Sequence, residues 1–346
     1  MTTFKNQDLG GPAQPLLQIR NLVKHFSTKK SLRSTTTVRA VDNITFDVYK
    51  GETLGVVGES GCGKSTTARV LMQLLDQDSG DLIFDAATVG SNNLPIKEFR
   101  RQVQMVFQDS YSSLNPRMTI EESIAFGPKV HGISSSVSLE RAHSLLSRVG
   151  LEPARFAGRY PHELSGGQRQ RVNIARALAM EPRLIILDEA VSALDKSVEA
   201  QVLNLLRDLK ESLDLTYVFI SHDLHVVRYI SDRILVMYLG EIVEIGPAER
   251  LFTDACHPYT QALLSSMPSS DPNQRTEKSP LAGDPPSPIS PPSGCRFHTR
   301  CSKAEAICST VKPILVETSP SHFSACLINS PNSGHSYAHS IIAKES

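Results

Sequence analysis

A glycine-rich loop between a short apolar run and an amphipathic segment most strongly constrains the fold of this 346-residue chain. Thr53–Val57 has the character of a buried strand, and Ser65–Leu75 repeats apolar residues at helical spacing. Residues 58–65 fit the pattern G-x-x-x-x-G-K-[ST] in full. A strand, such a loop and a helix in this order predict an α/β fold with a phosphate-binding site. A chance glycine-rich turn would lack these flanking elements.

The loop residues each have an expected part in binding nucleotide phosphates. Glycines let the backbone N–H groups turn inward and cradle phosphate oxygens. Lys64 places a positive charge on the β- and γ-phosphates, and the Ser65 hydroxyl is a candidate Mg²⁺ ligand. The predicted ATP-binding residues of the loop are Gly58, Glu59, Ser60, Gly61, Cys62, Gly63, Lys64, Ser65 and Thr66.

Two further apolar runs end in polar residues and complete the predicted nucleotide site. Leu184–Leu187 leads into Asp188 and Glu189, and Tyr217–Ile220 precedes His222. A helical stretch between the runs predicts a parallel sheet, in which ligands bind at the carboxyl ends of the strands. Asp188 is the candidate for the Mg²⁺ shell, and Glu189 is the candidate general base.

The segment Leu164, Ser165, Gly166, Gly167 and Gln168 lies between the phosphate loop and the acidic strand. Its serine is placed to cap a helix, predicted over Gln168–Met180, whose bare N-terminal amides form an anion site. This order of motifs resembles that of the ATP-binding cassette (ABC) family. The resemblance implies that two cassettes pair head to tail, so that each signature segment contacts the nucleotide of the partner.

The same resemblance assigns roles to residues that would be unremarkable alone. His222 matches the switch histidine that contacts the γ-phosphate, and Gln108 matches the Q-loop glutamine that senses Mg²⁺ and water. Ser192–Asp195 matches the D-loop at the dimer interface. Phe26 is the candidate for stacking on adenine, with a core position as the alternative. Ala190 departs from the proline that usually follows the catalytic glutamate, and proline would restrict the Glu189 backbone.

Four of the six cysteines cluster near the end of the chain, at Cys295, Cys301, Cys308 and Cys326. Their spacing, C-x₅-C-x₆-C-x₁₇-C, differs from the C-x₂-C pairs of common zinc sites. In a reducing compartment such a cluster favours a metal site over disulfides. Four thiolates can hold either a [4Fe–4S] cluster or zinc. The family resemblance favours the [4Fe–4S] cluster, with zinc as the runner-up and free thiols as the remaining alternative.

Three later segments narrow the resemblance to the ATPases of dipeptide and oligopeptide permeases, a group that includes nickel importers. They are Ser113–Arg117, His257–Leu264 and the proline-rich Gly283–Gly294 with the cysteines after it. The chain looks most like the F-type subunit. This implies an ATPase paired with a D-type cassette, two membrane permease subunits and, indirectly, an extracytoplasmic peptide-binding protein. Asp109–Ala125 is expected to accept the permease's coupling helix. Nickel and glutathione remain alternative cargoes.

Composition sets limits on the other function classes. Lys+Arg and Asp+Glu both number 36, so no global basic field favours nucleic acid. A soluble cassette acting on nucleic acid is therefore the weaker alternative. No apolar run approaches the roughly 20 residues of a membrane span, and no secretory signal is evident. The predicted location is the cytoplasmic face of the inner membrane, as a peripheral subunit.

The predicted fold class is α/β, with a P-loop NTPase (RecA-like) core, antiparallel β and helical ABC subdomains, and a small Cys-rich C-terminal module. The nucleotide-binding domain is predicted at 14–255, with its helical subdomain at about 110–180. Eight of the 21 prolines fall between Pro268 and Pro292, which predicts a linker or an extended wrap. The C-terminal module is predicted at 256–330, and a disordered polar tail at 331–346.

Overall fold

The computed structural model describes residues 14–31, 34–267 and 283–338. The strands in these ranges are β1 (Pro15–Ser31), β2 (Ser34–Tyr49), β3 (Thr53–Val57), β4 (Ser79–Phe84), β5 (Ala87–Thr88), β6 (Val103–Val106), β7 (Leu184–Asp188), β8 (Thr216–Ile220), β9 (Arg233–Tyr238), β10 (Glu241–Pro247), β11 (Val316–Ser319) and β12 (His322–Ser324). The α-helices are α1 (Lys64–Leu71), α2 (Ile96–Gln102), α3 (Ile120–Val130), α4 (Ser135–Arg148), α5 (Pro153–Phe156), α6 (Gly166–Leu178), α7 (Lys196–Leu213), α8 (Leu224–Ile230), α9 (Ala248–Thr253) and α10 (Pro258–Ser265).

The larger sheet has the strand order β11-β12-β10-β9-β3-β8-β7-β6. Neighbouring strands from β9 to β6 are parallel, as the strand–helix–strand rhythm predicts. Every residue of β3, β7 and β8 is buried, because α6, α7 and α8 cover one face of the parallel part while α1 and the smaller sheet cover the other. Strands β9 and β10 form a hairpin, because they are consecutive in the chain and pair antiparallel.

A smaller antiparallel sheet packs beside the phosphate loop, in the order β2-β1-β4-β5. Leu17, Ile19 and Val48 are fully buried in a core shared with the inner face of α1. This sheet corresponds to the antiparallel β subdomain of the predicted fold class. The predicted helical subdomain is also present, because α3, α4, α5 and α6 occupy residues 120–178 with no described strand among them.

The C-terminal region extends the sheet and core of the cassette. Strand β12 pairs with β10, through Glu244 opposite Ser324 and Ile245 opposite Phe323. The Phe297 ring is buried and lies 5.4 Å from the ring of Tyr238 on β9. Sequence patterns did not reveal β11 or β12. The region is therefore bound to the cassette through backbone pairing and shared apolar packing.

The proline-rich stretch and the tail differ in how far the structure describes them. Residues 268–282 of the predicted linker lie outside the described residues, while Pro288 accepts a hydrogen bond from the Arg39 N–H at 3.2 Å. The prediction of disorder from residue 331 is wrong for residues 331–338. His335 is buried there, with its Nε2 atom 3.0 Å from the Lys303 carbonyl oxygen. Residues 339–346 lie outside the described part.

None of the helices in the described ranges combines the length and the apolar character that crossing a bilayer requires.

Candidate active site

The predicted site residues follow four neighbouring strands of the larger sheet. The spatial order is β6, β7, β8 and β3. Gln108 follows β6, Asp188 and Glu189 end β7, His222 follows β8, and the phosphate loop follows β3. Parallel strands present their carboxyl ends at one edge, so four separate sequence segments converge there.

Glu189 is the centre of the polar side chains at this edge. The Gln108 amide donates to its Oε2 atom at 2.8 Å, and His222 Nδ1 lies 3.5 Å from the same oxygen. These three residues border a cavity of about 640 Å³, a size typical of ligand sites. The other residues lining this cavity are Phe26, Val38, Ala40, Ser60, Gly61, Gly63, Lys64, Ser65 and Thr66.

The phosphate loop places a cation and a pair of oxygen ligands at the base of the cavity. The Lys64 ammonium donates to the carbonyl oxygens of Gly58 and Glu59 at 2.6 and 3.0 Å. The Ser65 hydroxyl donates to Asp188 Oδ1 at 3.1 Å. Burial raises the pKa of the Asp188 carboxyl, and the charge of Glu189 adds to this rise. A hydroxyl and a buried carboxylate in contact form a hard oxygen pair that fits Mg²⁺.

Three predicted loop residues lie behind the cavity instead of on its surface. Gly58, Glu59 and Cys62 are not among the residues that line it. Gly63 explains part of the glycine requirement, because its φ is 110° and a Cβ atom there would lie 2.1 Å from the Ala40 carbonyl oxygen.

Glu189 has an unusual backbone conformation for a residue with a side chain. Its φ is 48°, in the left-handed region. The Glu189 N–H donates to the Ile220 carbonyl oxygen at 2.9 Å, and the Ser192 hydroxyl donates to the Glu189 carbonyl oxygen at 3.0 Å. Such conformations are held by their surroundings and are frequent at functional sites. Ala190, which stands where the family usually has proline, is buried directly after it.

Phe26 lies on β1 at the edge of the nucleotide cavity. Its side chain is half-buried, and the Lys24 ammonium lies 5.6 Å from the centre of its ring. A fully buried core position for Phe26 is therefore excluded. Stacking on adenine stays a prediction.

The signature segment begins α6 and lies away from the cavity of its own chain. The Ser165 hydroxyl accepts from the Gln168 N–H at 3.3 Å, and the Gln168 side chain accepts from the Ser165 N–H at 3.0 Å. This capping box confirms the predicted cap. A Cβ atom on Gly167 would lie 2.4 Å from Val198, so glycine allows α6 to approach α7. None of Leu164, Ser165, Gly166, Gly167 and Gln168 lines the nucleotide cavity.

Side chains of α6 also hold the segment that follows Gln108. Asn173 donates to the Ser110 carbonyl oxygen at 3.0 Å, and Arg176 donates to that of Ser113. The Arg169 guanidinium lies 5.4 Å from the centre of the Tyr111 ring. Sequence reasoning missed this connection, because no local pattern pairs residues about 60 positions apart. The Q-loop segment and the signature helix therefore form one unit.

The four clustered cysteines border one enclosed space, together with His257. None of them is in a disulfide. Burial raises the pKa of Cys295 to about 12 and that of Cys326 to about 11, so both thiols are protonated at neutral pH. Burial lowers the pKa of His257 to about 4. Its Nδ1 atom accepts from the Tyr259 N–H at 3.0 Å, so the proton of the neutral ring is on Nε2.

A second group of potential ligands, missed from sequence, lies where β10 meets β12. Within the described ranges, Glu244, Cys256 and His322 form the group whose ligand atoms all lie within 4.8 Å of one another. The Glu244 carboxylate already accepts from His322 Nε2 and from the Cys256 N–H, each at 2.7 Å, and from the His257 N–H at 3.0 Å. This set of contacts satisfies the buried carboxylate, so we interpret the group as a hydrogen-bonded link between two strands.

Comparison with known proteins places this geometry in a family. The ABC transporter family model matches residues 41–192, and the model of the oligopeptide/dipeptide transporter C-terminal region matches residues 243–308. A putative peptide import ATP-binding protein of Brucella ovis is 50% identical over 317 residues, covering 90% of this chain and 98% of that protein. The oligopeptide transport ATP-binding protein AppF of Bacillus subtilis is 49% identical, with 90% and 97% covered.

A solved ATP-binding cassette, described as a dimer in a post-hydrolysis state bound to ADP and Pi, superposes with a TM-score of 0.59 at 30% identity. The match covers 67% of this chain and 98% of that one. The converging nucleotide motifs, the α/β cassette fold and the long high-identity matches agree, and the chain belongs to the ABC transporter family of ATP-binding proteins.

Proposed function

We propose that this chain is the ATP-hydrolysing motor subunit of an importer that takes up dipeptides or oligopeptides. The observation that carries the proposal is the contact of Gln108 and His222 with Glu189 beside the phosphate loop. Relatives named for peptide import support the choice of cargo. The test is ATP-dependent uptake of labelled peptides by vesicles that contain the assembled transporter. Uptake of nickel or glutathione in place of peptides would change the cargo assignment.

The chemistry follows from the groups around Glu189. Its carboxylate accepts a proton from the attacking water or orients that water, and Gln108 and His222 hold the carboxylate in place. Lys64 neutralises charge on the β- and γ-phosphates. Ser65, Asp188 and Gln108 are the residues that would hold Mg²⁺, which supplies a Lewis acid for phosphate oxygens when bound.

We place the second half of the active site on a partner cassette. Ser165 is exposed, and the signature segment does not border its own nucleotide cavity, so its capped helix terminus is available to another chain. The partner is a D-type cassette in a heterodimer, with this chain as the F-type. Glu189→Gln protein, loaded with ATP and mixed with the partner, is expected to form stable dimers. A monomer under these conditions would contradict the arrangement.

The permease is proposed to dock at Asp109–Ala125. Tyr111 is 52% exposed and Phe126, directly after this segment, is 56% exposed. Large exposed apolar side chains beside polar ones are typical of binding surfaces. The contacts of Asn173 and Arg176 with this segment would transmit its displacement to α6. Recovery of a tagged chain from solubilised membranes is expected to bring two permease subunits and a second cassette. The proposed location is therefore the cytoplasmic face of the inner membrane, as a peripheral subunit.

The four cysteines are proposed to hold a [4Fe–4S] cluster. The four thiols border one space, and four thiolates are the ligand set that holds a [4Fe–4S] cluster. His257 borders the same space, and with its Nδ1 atom accepting from the Tyr259 N–H the ring has an Nε2–H group that suits hydrogen bonding to cluster sulfur. Anaerobic purification is expected to give broad visible absorption with iron and sulfide. A colourless protein with equimolar zinc would reverse the choice.

A further inference from the structure

An arginine of the C-terminal region forms a salt bridge with the phosphate loop from outside the nucleotide cavity. Arg300 directly precedes Cys301, and its guanidinium donates to both carboxylate oxygens of Glu59, at 2.7 and 3.0 Å. The Arg300 side chain is 5% exposed and that of Glu59 is 21% exposed. The contact joins residues 241 positions apart in the sequence. A bidentate arginine–carboxylate pair of this kind fixes both distance and orientation.

Glu59 is held through its backbone as well. Its N–H donates to the Tyr259 hydroxyl at 2.9 Å, and its carbonyl oxygen accepts from the Lys64 ammonium at 3.0 Å. Tyr259 lies on α10 and is fully buried. The second residue of the phosphate loop is thus fixed by two groups of the C-terminal region and by the loop's own lysine. The Glu59 side chain points away from the nucleotide cavity, toward Arg300.

The charge of Glu59 explains why its salt bridge with Arg300 matters for nucleotide binding. A carboxylate within a phosphate loop repels a polyphosphate, and the repulsion is strong where the site is partly buried. Arg300 neutralises that carboxylate at contact distance. Removing one partner of a buried charged pair leaves the other uncompensated, which costs more than the pair contributes.

We propose that Arg300 is a positioning residue for ATP, acting through Glu59 to set the shape and charge of the phosphate loop. The inference rests on the nucleotide site of the proposed function. It gives the C-terminal region a direct part in nucleotide affinity, in addition to its own packing.

Arg296 supplies a matched control from the same region. It directly follows Cys295, donates to Asp42 and to the Leu239 carbonyl oxygen, and lies 3.2 Å from Glu241. Like Arg300, it is a buried arginine that joins the C-terminal region to the cassette, with a side chain 6% exposed. Its partners lie outside the loop 58–66. A general loosening of the region would therefore affect both variants alike.

The experiment measures the dissociation constants of ATP and ADP for the purified full chain by fluorescence of labelled nucleotides. Arg300→Gln is expected to weaken ATP binding about tenfold, and ADP binding less, because ATP carries the additional γ-phosphate charge. Raising the salt concentration should reduce the loss. The double variant Glu59→Gln/Arg300→Gln is expected to recover most of the ATP affinity. Arg296→Gln is expected to lower the melting temperature and leave ATP affinity within about twofold.

Wild-type affinity in Arg300→Gln, or no recovery in the double variant, would overturn the inference. Equal losses in Arg300→Gln and Arg296→Gln would do the same. Arg300→Lys retains the charge and loses the two-oxygen contact, so it is expected to bind ATP about threefold more weakly. If Arg300→Gln fails to fold, Arg300→Lys provides the test instead. Wild-type ATP affinity in Arg300→Lys would contradict the positioning role. A wild-type chain that binds no ATP would instead refute the nucleotide site itself.

Discussion

The nucleotide site and the cysteine region are held in place by different means. Nucleotide-site residues follow the ends of adjacent parallel strands, so the backbone of the core positions them. The cysteine region is held by an added edge strand and by side-chain contacts, among them the ion pair of Arg300 with Glu59 and the hydrogen bond of His322 with Glu244. The first arrangement tolerates little movement. The second depends on a few contacts, each of which can be removed singly.

The difference also separates chemistry from stability. Changes at the strand ends should alter turnover and leave the folded state intact. Changes in the cysteine region should alter stability and metal content first. The Arg300–Glu59 contact is the point at which the two regions meet, since it joins a cysteine-flanking residue to the phosphate loop.

The largest expected effect is on turnover, from Glu189→Gln. Loss of the carboxylate should reduce kcat for ATP hydrolysis by about 10³-fold, because the amide cannot accept the water proton. ATP affinity and melting temperature should stay near the wild-type values. The measurement is phosphate release at saturating ATP by the assembled transporter. Glu211→Gln, at an exposed position of α7, is the control and should keep full turnover. Retained ATP hydrolysis in Glu189→Gln would show that another residue is the general base.

The second prediction concerns metal content. Cys301→Ser removes one of four ligands and should weaken metal binding by at least about 100-fold. Cys256→Ser is the matched control, because Cys256 does not border the space shared by the other four. Metal analysis after anaerobic purification should show loss in the first variant and wild-type content in the second. Equal metal content in both would count against the four-cysteine site.

The site residues at the strand ends could be predicted because each lies next to a recognisable local sequence pattern. Apolar runs that end in a glycine loop, an acidic pair or a histidine indicate both the parallel sheet and the residues at its edge. Parallel pairing then brings Gln108, Glu189 and His222 together, as the structure confirms. The predicted bounds of the helices were less accurate. The helix after the phosphate loop ends at Leu71, and the prediction extended it to Leu75.

The contacts of the cysteine region were not predictable from one sequence. Strands β11 and β12 have only four and three residues, too few for a periodic pattern. Arg300 and Glu59 carry no local sign of pairing across more than 200 positions. His335 lies in a polar tail whose composition predicted disorder, and its burial depends on contacts with Lys303 and neighbouring residues. Side-chain pairs between residues far apart in the sequence can be identified only in the folded structure.

The third prediction concerns the buried hydrogen bond between Glu244 and His322, where β10 meets β12. Glu244 and His322 are almost fully buried, so Glu244→Gln should lower the free energy of unfolding by about 3 kcal/mol. Its control is Glu249→Gln, which removes a charge from the exposed pair with Arg228 and should cost less than about 1 kcal/mol. Denaturant unfolding of both variants measures the contrast. Similar losses would mean that burial does not set the strength of these pairs.

The smallest effect tests whether the signature helix has a role beyond its cap. Ser165 caps α6 and Ser134 caps α4, each by accepting a backbone N–H. Replacing either by alanine should lower the free energy of unfolding by about 1 kcal/mol. Ser165 is proposed to contact the partner's nucleotide, so Ser165→Ala should also reduce ATP hydrolysis by the assembled pair. Ser134→Ala should leave hydrolysis unchanged. If the two variants lose stability alike and hydrolyse ATP alike, the serine of the signature segment serves only as a cap.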